Sequence, residues 1–379
     1  MSRNANGQPG ITVGLHAPPK PPLYAMRAMV YVARVLRLDS FTVWDHFQDL
    51  FPESLWNTDF TWLARDSDTP HEMYDYQTLL GYLAAHAGRL RLGVTVTEPV
   101  RRHPVLLAQA MLTLAHLSKK APILGIGSGE AENIVPYGLP FDQPVGRLEE
   151  ALQILRLCFD SQGPIHFEGQ HFQLDHAFMD LRAPKRRTPR VWVAAHGPRM
   201  LRLTGQYGDG WYPTAIATPE EYAAGLTTIR AAALTTGRDP ERIVPAFQPQ
   251  VVVAPSIEEG RRLLDSKPIR LIAILAPASI WTQFGETHPF GDDFRGYVDY
   301  IPANYSRQEL EDALAAVPLD LLAEALIWGT PERVTDRLRD FGQAGMRYTV
   351  IELASAAVSP KAAGYSLVAL RRIAGALRR

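Results

Sequence analysis

The chain has 379 residues, 46% hydrophobic and 21% charged, a globular balance with enough apolar material for one large barrel or two ordinary domains. Its 39 basic and 40 acidic side chains leave a formal charge of −1, so no long-range field favours nucleic acid or an anionic membrane. The single cysteine, Cys158 between Leu157 and Phe159, excludes an intrachain disulfide framework and reads as a buried thiol; with a polar opening stretch and no apolar run of about 18 residues, the chain is expected to be soluble and cytoplasmic.

Short β-rich runs alternate with helical periodicity along the whole chain. Residues 11–15 are expected as the first strand and 24–38 as a helix. Residues 40–44 follow as the second strand, then a Pro-, Trp- and Asp-rich excursion to about His71. Leu79, Leu80, Leu83 and Ala84 recur at helical spacing within 76–86. Residues 89–97 form the third strand, 105–117 a helix, and Ile123 opens the fourth strand. An amphipathic helix over 147–159 precedes a fifth strand over 189–195; 207–212 is the sixth, and 244–254 and 348–353 are the last two. Repeated β-then-α order without a Gly/Ser linker predicts a single α/β domain, a (β/α)8 TIM barrel. Residues 266–305 exceed an ordinary connection and are expected as an insertion, either over the active-site face or serving packing or dimerisation; whether 281–300 is a lid stays open.

The run Ile123-Leu124-Gly125-Ile126-Gly127-Ser128-Gly129-Glu130-Ala131-Glu132-Asn133 breaks from a strand into alternating glycines and then acids. A dinucleotide fingerprint needs G-x-G-x-x-G, and Glu130 and Glu132 would repel a pyrophosphate, so these glycines are expected to admit a ligand held by its phosphates elsewhere. The acids either complement a helix N-terminus or carry chemistry. Asp45-His46 at the end of the second strand is either a proton-handling pair or a cap beside a surface histidine. Ala194-Ala195-His196-Gly197-Pro198 joins a strand to a helix, where small residues and free N–H groups suit a flat ligand or an anion, or merely a tight turn. The other histidines, His166, His171 and His176 among them, lack ligand spacing, so no metal is expected. The aromatic stretch 284–290 is read as either pocket lining or core.

Together these segments resemble the luciferase-like flavin and deazaflavin oxidoreductases. The matching words are Trp44-Asp45-His46-Phe47, Leu92 to Thr97 with Arg102-His103-Pro104, Ala108-Gln109-Ala110, Gly125 to Glu130 with Asn133, Ala194 to Pro198, Gly208-Asp209-Gly210-Trp211 and Gly329-Thr330-Pro331-Glu332, in family order over nearly the whole chain. Asp45-His46 and the Gly-Ser-Gly-Glu with Asn133 look most like the branch using coenzyme F420, a deazaflavin, and within it like mycobacterial ketoreductases. The resemblance implies a barrel, often dimeric. It implies that Asp45, Thr97 and Asn133 hydrogen-bond the deazaflavin, with Gly127 and Gly129 beside it. The backbone of Ala194, Ala195, His196 and Gly197 would hold the phosphate-bearing tail. Thr95-Val96 falls where the family places a non-prolyl cis peptide against the ring. His46 and Glu130 match the proton-transfer positions. Sugar-phosphate dehydrogenases of that branch carry tryptophan where this chain has Leu50, and their substrate-phosphate lysines have no match here. The implied activity is hydride transfer from reduced F420 to a carbonyl of a lipid or polyketide-like chain, reversible to the alcohol, in a homodimer. FMN-dependent monooxygenation and non-catalytic deazaflavin binding are the alternatives.

Overall fold

A computed structural model describes residues 10–160 and 162–379; residues 1–9, most of the polar opening stretch, lie outside the described residues. The strands are β1 (Thr12–His16), β2 (Ser40–Val43), β3 (Arg91–Thr97), β4 (Ile123–Ile126), β5 (Ile165–Glu168), β6 (Gln173–Ala177), β7 (Arg190–Val193), β8 (Gly210–Trp211), β9 (Val244–Phe247), β10 (Val251–Val253), β11 (Ile327–Gly329) and β12 (Tyr348–Glu352). Eight of them close a parallel barrel in the order β1-β12-β9-β8-β7-β4-β3-β2. The (β/α)8 expectation holds. Helices Leu23–Val35, Tyr76–Ala87, Pro104–Leu117, Pro144–Asp160, Pro198–Tyr207, Pro219–Thr235, Pro331–Gln343 and Pro360–Leu377 ring it. Most begin on a proline, whose fixed φ suits the first helical position and whose missing N–H costs nothing there. They pack by apolar stripes such as Leu79, Leu80 and Leu83, each fully buried leucine contributing about 1.5–3 kcal/mol over exposure.

Two features depart from the sequence reading. The expected strand over 244–254 is two strands, because Pro249 offers no N–H to a ladder and the chain turns there. β9 stays in the barrel, whereas β10 leaves it and pairs with β11 in a small parallel sheet. β5 and β6 form an antiparallel hairpin that the βα alternation gave no cause to expect. There, the apparently scattered His166 and His176 both bond Asp175, at 3.1 and 2.7 Å.

Between β10 and β11 the chain forms helices Ile257–Leu264, Lys267–Ile274, Ala278–Gln283, Arg307–Ala316 and Leu319–Ala325. They build a second core with Leu50, Leu55 and Phe60 from the excursion after β2. The aromatics of 281–300 belong to this core. Trp281 donates to the Ala273 carbonyl at 2.9 Å, and His288 stacks on Phe294. They pack on one another and on Tyr305, so of the two readings of 284–290 the core one describes it, and aliphatic residues of Lys267–Ile274 face the cavity. Among the described residues no helix is long and apolar enough to cross a membrane.

Candidate active site

β2 ends at Val43, so Trp44, Asp45 and His46 leave the strand from the carboxyl end of the barrel, where βα loops build sites. Asp45 and His46 do not bond each other; they serve two networks. Asp45 is buried, accepting from Thr97 Oγ1 at 2.6 Å and from Arg102 Nε at 3.1 Å, with Arg101 Nη2 3.3 Å away. Arg102 also donates to Asp75, the cap of helix Tyr76–Ala87, at 2.9 Å. The structure thus brings Asp45 and Thr97 together, along with Arg102 and with Arg101, which the sequence reading did not name.

His46 lies between two carboxylates. Its Nε2 is 3.1 Å from Glu130 Oε2 and its Nδ1 is 3.1 Å from Glu132 Oε1. Its ring stacks on Trp44, centroids 5.0 Å apart. Burial alone would lower the imidazole pKa, but the two carboxylates outweigh it and raise it to about 10, so His46 is an imidazolium at neutral pH. Glu132 is fully buried; burial raises its carboxyl against the opposing pull of His46. Glu130 is the more exposed of the two, at 27% against 0%. No α-helix begins after these acids. Only the short 3-10 turns Ala131–Asn133 and Val135–Tyr137 follow, so neither acid has a macrodipole to complement. Glu132 is the site residue that the sequence reading left out in favour of Glu130. Asn133 is buried, donating to Glu132 Oε1 at 2.8 Å and accepting from the Phe47 N–H at 2.7 Å.

The glycine run turns tightly against β3. A Cβ on Gly125 would come within 2.7 Å of the Val94 carbonyl and 2.9 Å of Thr95 Cα. Gly125→Ala is expected to lower stability by about 1–3 kcal/mol in a urea titration, since backbone rather than a movable side chain must yield. Gly129 sits at φ +102°, a conformation that favours glycine. Gly127 differs: its missing Cβ would lie in ordinary contact with Val96 and Ala194, so a side-chain-free face lies between them. The Thr95–Val96 peptide is cis. Beyond Ala195, His196 and Gly197 are exposed, and Gly197 opens helix Pro198–Tyr207 with no side chain capping its N–H groups. The sequence-predicted residues thus gather along the carboxyl ends of β2, β3, β4 and β7.

A cavity of about 300 Å³ adjoins this row. Its polar end holds His16, Trp44 and Glu352, and its walls include Leu50, Ile272 and Leu275. Burial raises the Glu352 carboxyl to about 7, and Gln248 donates to it at 2.9 Å. His16 and Glu352 lie at the carboxyl ends of β1 and β12. Neither carries a sequence signal beyond its place at a strand end, which could have flagged both.

A family model of the luciferase-like monooxygenases matches residues 58–348. The chain belongs to this family, and its barrel is the family's fold. Over 334 residues, 87% of this chain and 88% of the relative, it is 38% identical to the phthiodiolone/phenolphthiodiolone dimycocerosates ketoreductase of Mycobacterium tuberculosis. Among solved structures it is similar to an F420-dependent secondary alcohol dehydrogenase in complex with an F420-acetone adduct, with TM-score 0.75, 20% identity, and 98% and 100% of the two chains covered. It is also similar to the F420-dependent tetrahydromethanopterin reductase of Methanopyrus kandleri, with TM-score 0.74, 18% identity, and coverage of 96% and 98%. At these identities the structural likeness is one of fold.

Proposed function

We propose that the protein is a coenzyme F420-dependent ketoreductase acting reversibly on an apolar, lipid or polyketide-like ketone. The observation that carries this reading is His46, within 3.1 Å of both Glu130 and Glu132 and stacked on Trp44, which itself lines a largely aliphatic cavity. The bare face at Gly127, between Val96 and Ala194, fits a flat ring, and the uncapped N–H groups after Gly197 fit an anionic tail. Thr95, Val96, Thr97 and Gly129 would border the ring, with Asp45 and Asn133 behind it. Reduced F420 supplies the hydride.

The chain's own part is proton supply and orientation. The Nε2 proton of His46 faces Glu130, the accessible carboxylate, and is the one a substrate oxygen can reach. It passes to the forming alkoxide, and in alcohol oxidation the neutral ring takes it back. Glu132 lies 3.1 Å from Nδ1 on the buried side, an ion-pair contact without hydrogen-bond geometry, and its charge acts on the ring as a positioning residue. Leu50 and the helix Lys267–Ile274 cover the substrate side and exclude water from it. The ketone specificity of the mycobacterial relative supports a carbonyl substrate; the cofactor in both structural neighbours supports F420.

Titrating the protein with F420, FMN and NADPH side by side tests the cofactor. F420 at about a hundredfold excess over its Kd is expected to stabilise the fold by about 2.7 kcal/mol, with no shift from the other two. Stabilisation by FMN alone would replace this reading with a flavin monooxygenase. F420 binding without ketone-dependent loss of the reduced cofactor would replace it with a deazaflavin carrier.

A further inference from the structure

His16 takes no part in the proton chemistry above, yet it is buried at the end of β1 and lines the cavity. Its Nδ1 edge faces the barrel interior. Tyr212 Oη donates to Thr95 Oγ1 at 3.1 Å, and Thr95 Oγ1 donates to Thr42 Oγ1 at 2.8 Å. Thr42 Oγ1 at 3.0 Å and Thr95 Oγ1 at 3.2 Å both face His16 Nδ1. In the tautomer in which Nδ1 accepts from one of these hydroxyls, the ring proton sits on Nε2, at the opposite side of the imidazole. His16 Nε2 is buried without a partner among the described residues. Trp44 Nε1 is in the same condition. The two rings meet edge to face with centroids 5.6 Å apart, and Trp44 in turn stacks on His46. A buried N–H with no acceptor carries a desolvation cost that a bound oxygen would relieve.

We propose that His16 Nε2–H and Trp44 Nε1–H form a second oxygen-binding subsite, which holds a neutral hydroxyl, ketone or ester oxygen of the substrate a few carbons from the carbonyl reduced at His46. This rests on the cavity being the substrate pocket of the proposed ketoreductase. The ring contacts support it: Trp44 lines the cavity beside His16 and stacks on His46, so it joins the cavity to the proton donor. The neutrality of the bound group follows from what surrounds it. Burial and nearby His46 hold His16 near a pKa of about 3, so it donates without charge. The carboxyls of Asp49 and Glu352 share the cavity and oppose an anionic ligand there. Lys20 also lines the cavity, but its ammonium is paired with Asp49 at 2.6 Å.

The test compares methyl octyl ketone with its β-hydroxy derivative by calorimetry, on the full chain with and without F420. The hydroxy ketone is expected to bind about tenfold more tightly, the increment of one neutral hydrogen bond. In His16→Phe that preference shrinks while affinity for the plain ketone stays within about twofold. Melting temperature and F420 affinity report whether the variant is folded. An absent preference in the unmodified protein, or one that survives intact in His16→Phe, overturns the subsite. Failure of the ketoreductase reading is seen separately, as reduced F420 that no ketone consumes while the binding preference persists.

Discussion

His46→Ala is expected to lower the turnover of F420-coupled ketone reduction by about 10²–10⁴-fold, while F420 affinity changes no more than about twofold. The asymmetry follows from placement: the ring touches Glu130, Glu132 and Trp44, and its contribution is a proton. Equal loss of turnover and of cofactor binding would sink its assignment as the donor. The pH profile gives the same test a sign. Because the two carboxylates raise His46 to about 10, the donor is protonated throughout the neutral range. Reduction is therefore level there and falls as pH rises through about 10, whereas alcohol oxidation, which needs the neutral ring, rises over that interval. Glu132→Gln removes one of the raising charges and leaves burial to lower the pKa, so the descending limb moves to lower pH. A limb that stays in place would show that Glu132 does not act through His46.

Asp45→Ala is expected to cost about 1–3 kcal/mol of stability, because it leaves the buried Thr97 hydroxyl without its acceptor and removes one of two carboxylates from each arginine, Arg101 keeping Glu98 and Arg102 keeping Asp75. Arg101 is 4% exposed and Arg102 22%, and both are within ion-pair distance of the Asp45 carboxylate. Thr97→Val deletes only the hydroxyl that donates to Asp45 and is expected to cost about 0.5–1.5 kcal/mol. Urea midpoints for the two variants give the comparison. If Asp45→Ala were no more damaging than Thr97→Val, Glu98 and Asp75 would suffice for the arginines and the Asp45 carboxylate would add nothing to the fold.

The barrel was legible because each βα unit declares itself locally: a β-rich run, a turn, then a stripe such as Leu79, Leu80 and Leu83. Helix ends were legible too, since proline marks so many of them. The break inside 244–254 was not, because one proline at position 249 is a weak signal beside two runs of β-branched and aromatic residues. His46, Asp45 and Glu130 could be picked out as strand-end residues with chemistry. Their pairing could not, since the loops after β2 and β4 meet only in the closed barrel. Glu132 looked interchangeable with Glu130 until the short turn Ala131–Asn133 put one carboxylate on each ring nitrogen. His16 had only its place at a strand end to mark it; its hydroxyl partners Thr42 and Thr95 come from β2 and β3, and Tyr212 from just past β8.

Thr61 donates its hydroxyl to the Ala357 carbonyl at 2.6 Å, and Trp62 donates its indole N–H to the Ala356 carbonyl at 2.9 Å. This clasp joins the excursion after β2 to the segment after β12, and residues of both segments wall the cavity. During synthesis the early half of the pocket is therefore exposed long before its other wall exists. A nascent chain that has not yet reached Ala356 lacks the carbonyl partners of Thr61 and Trp62 and the wall that Leu353, Ala354, Ala356 and Ala357 give the cavity.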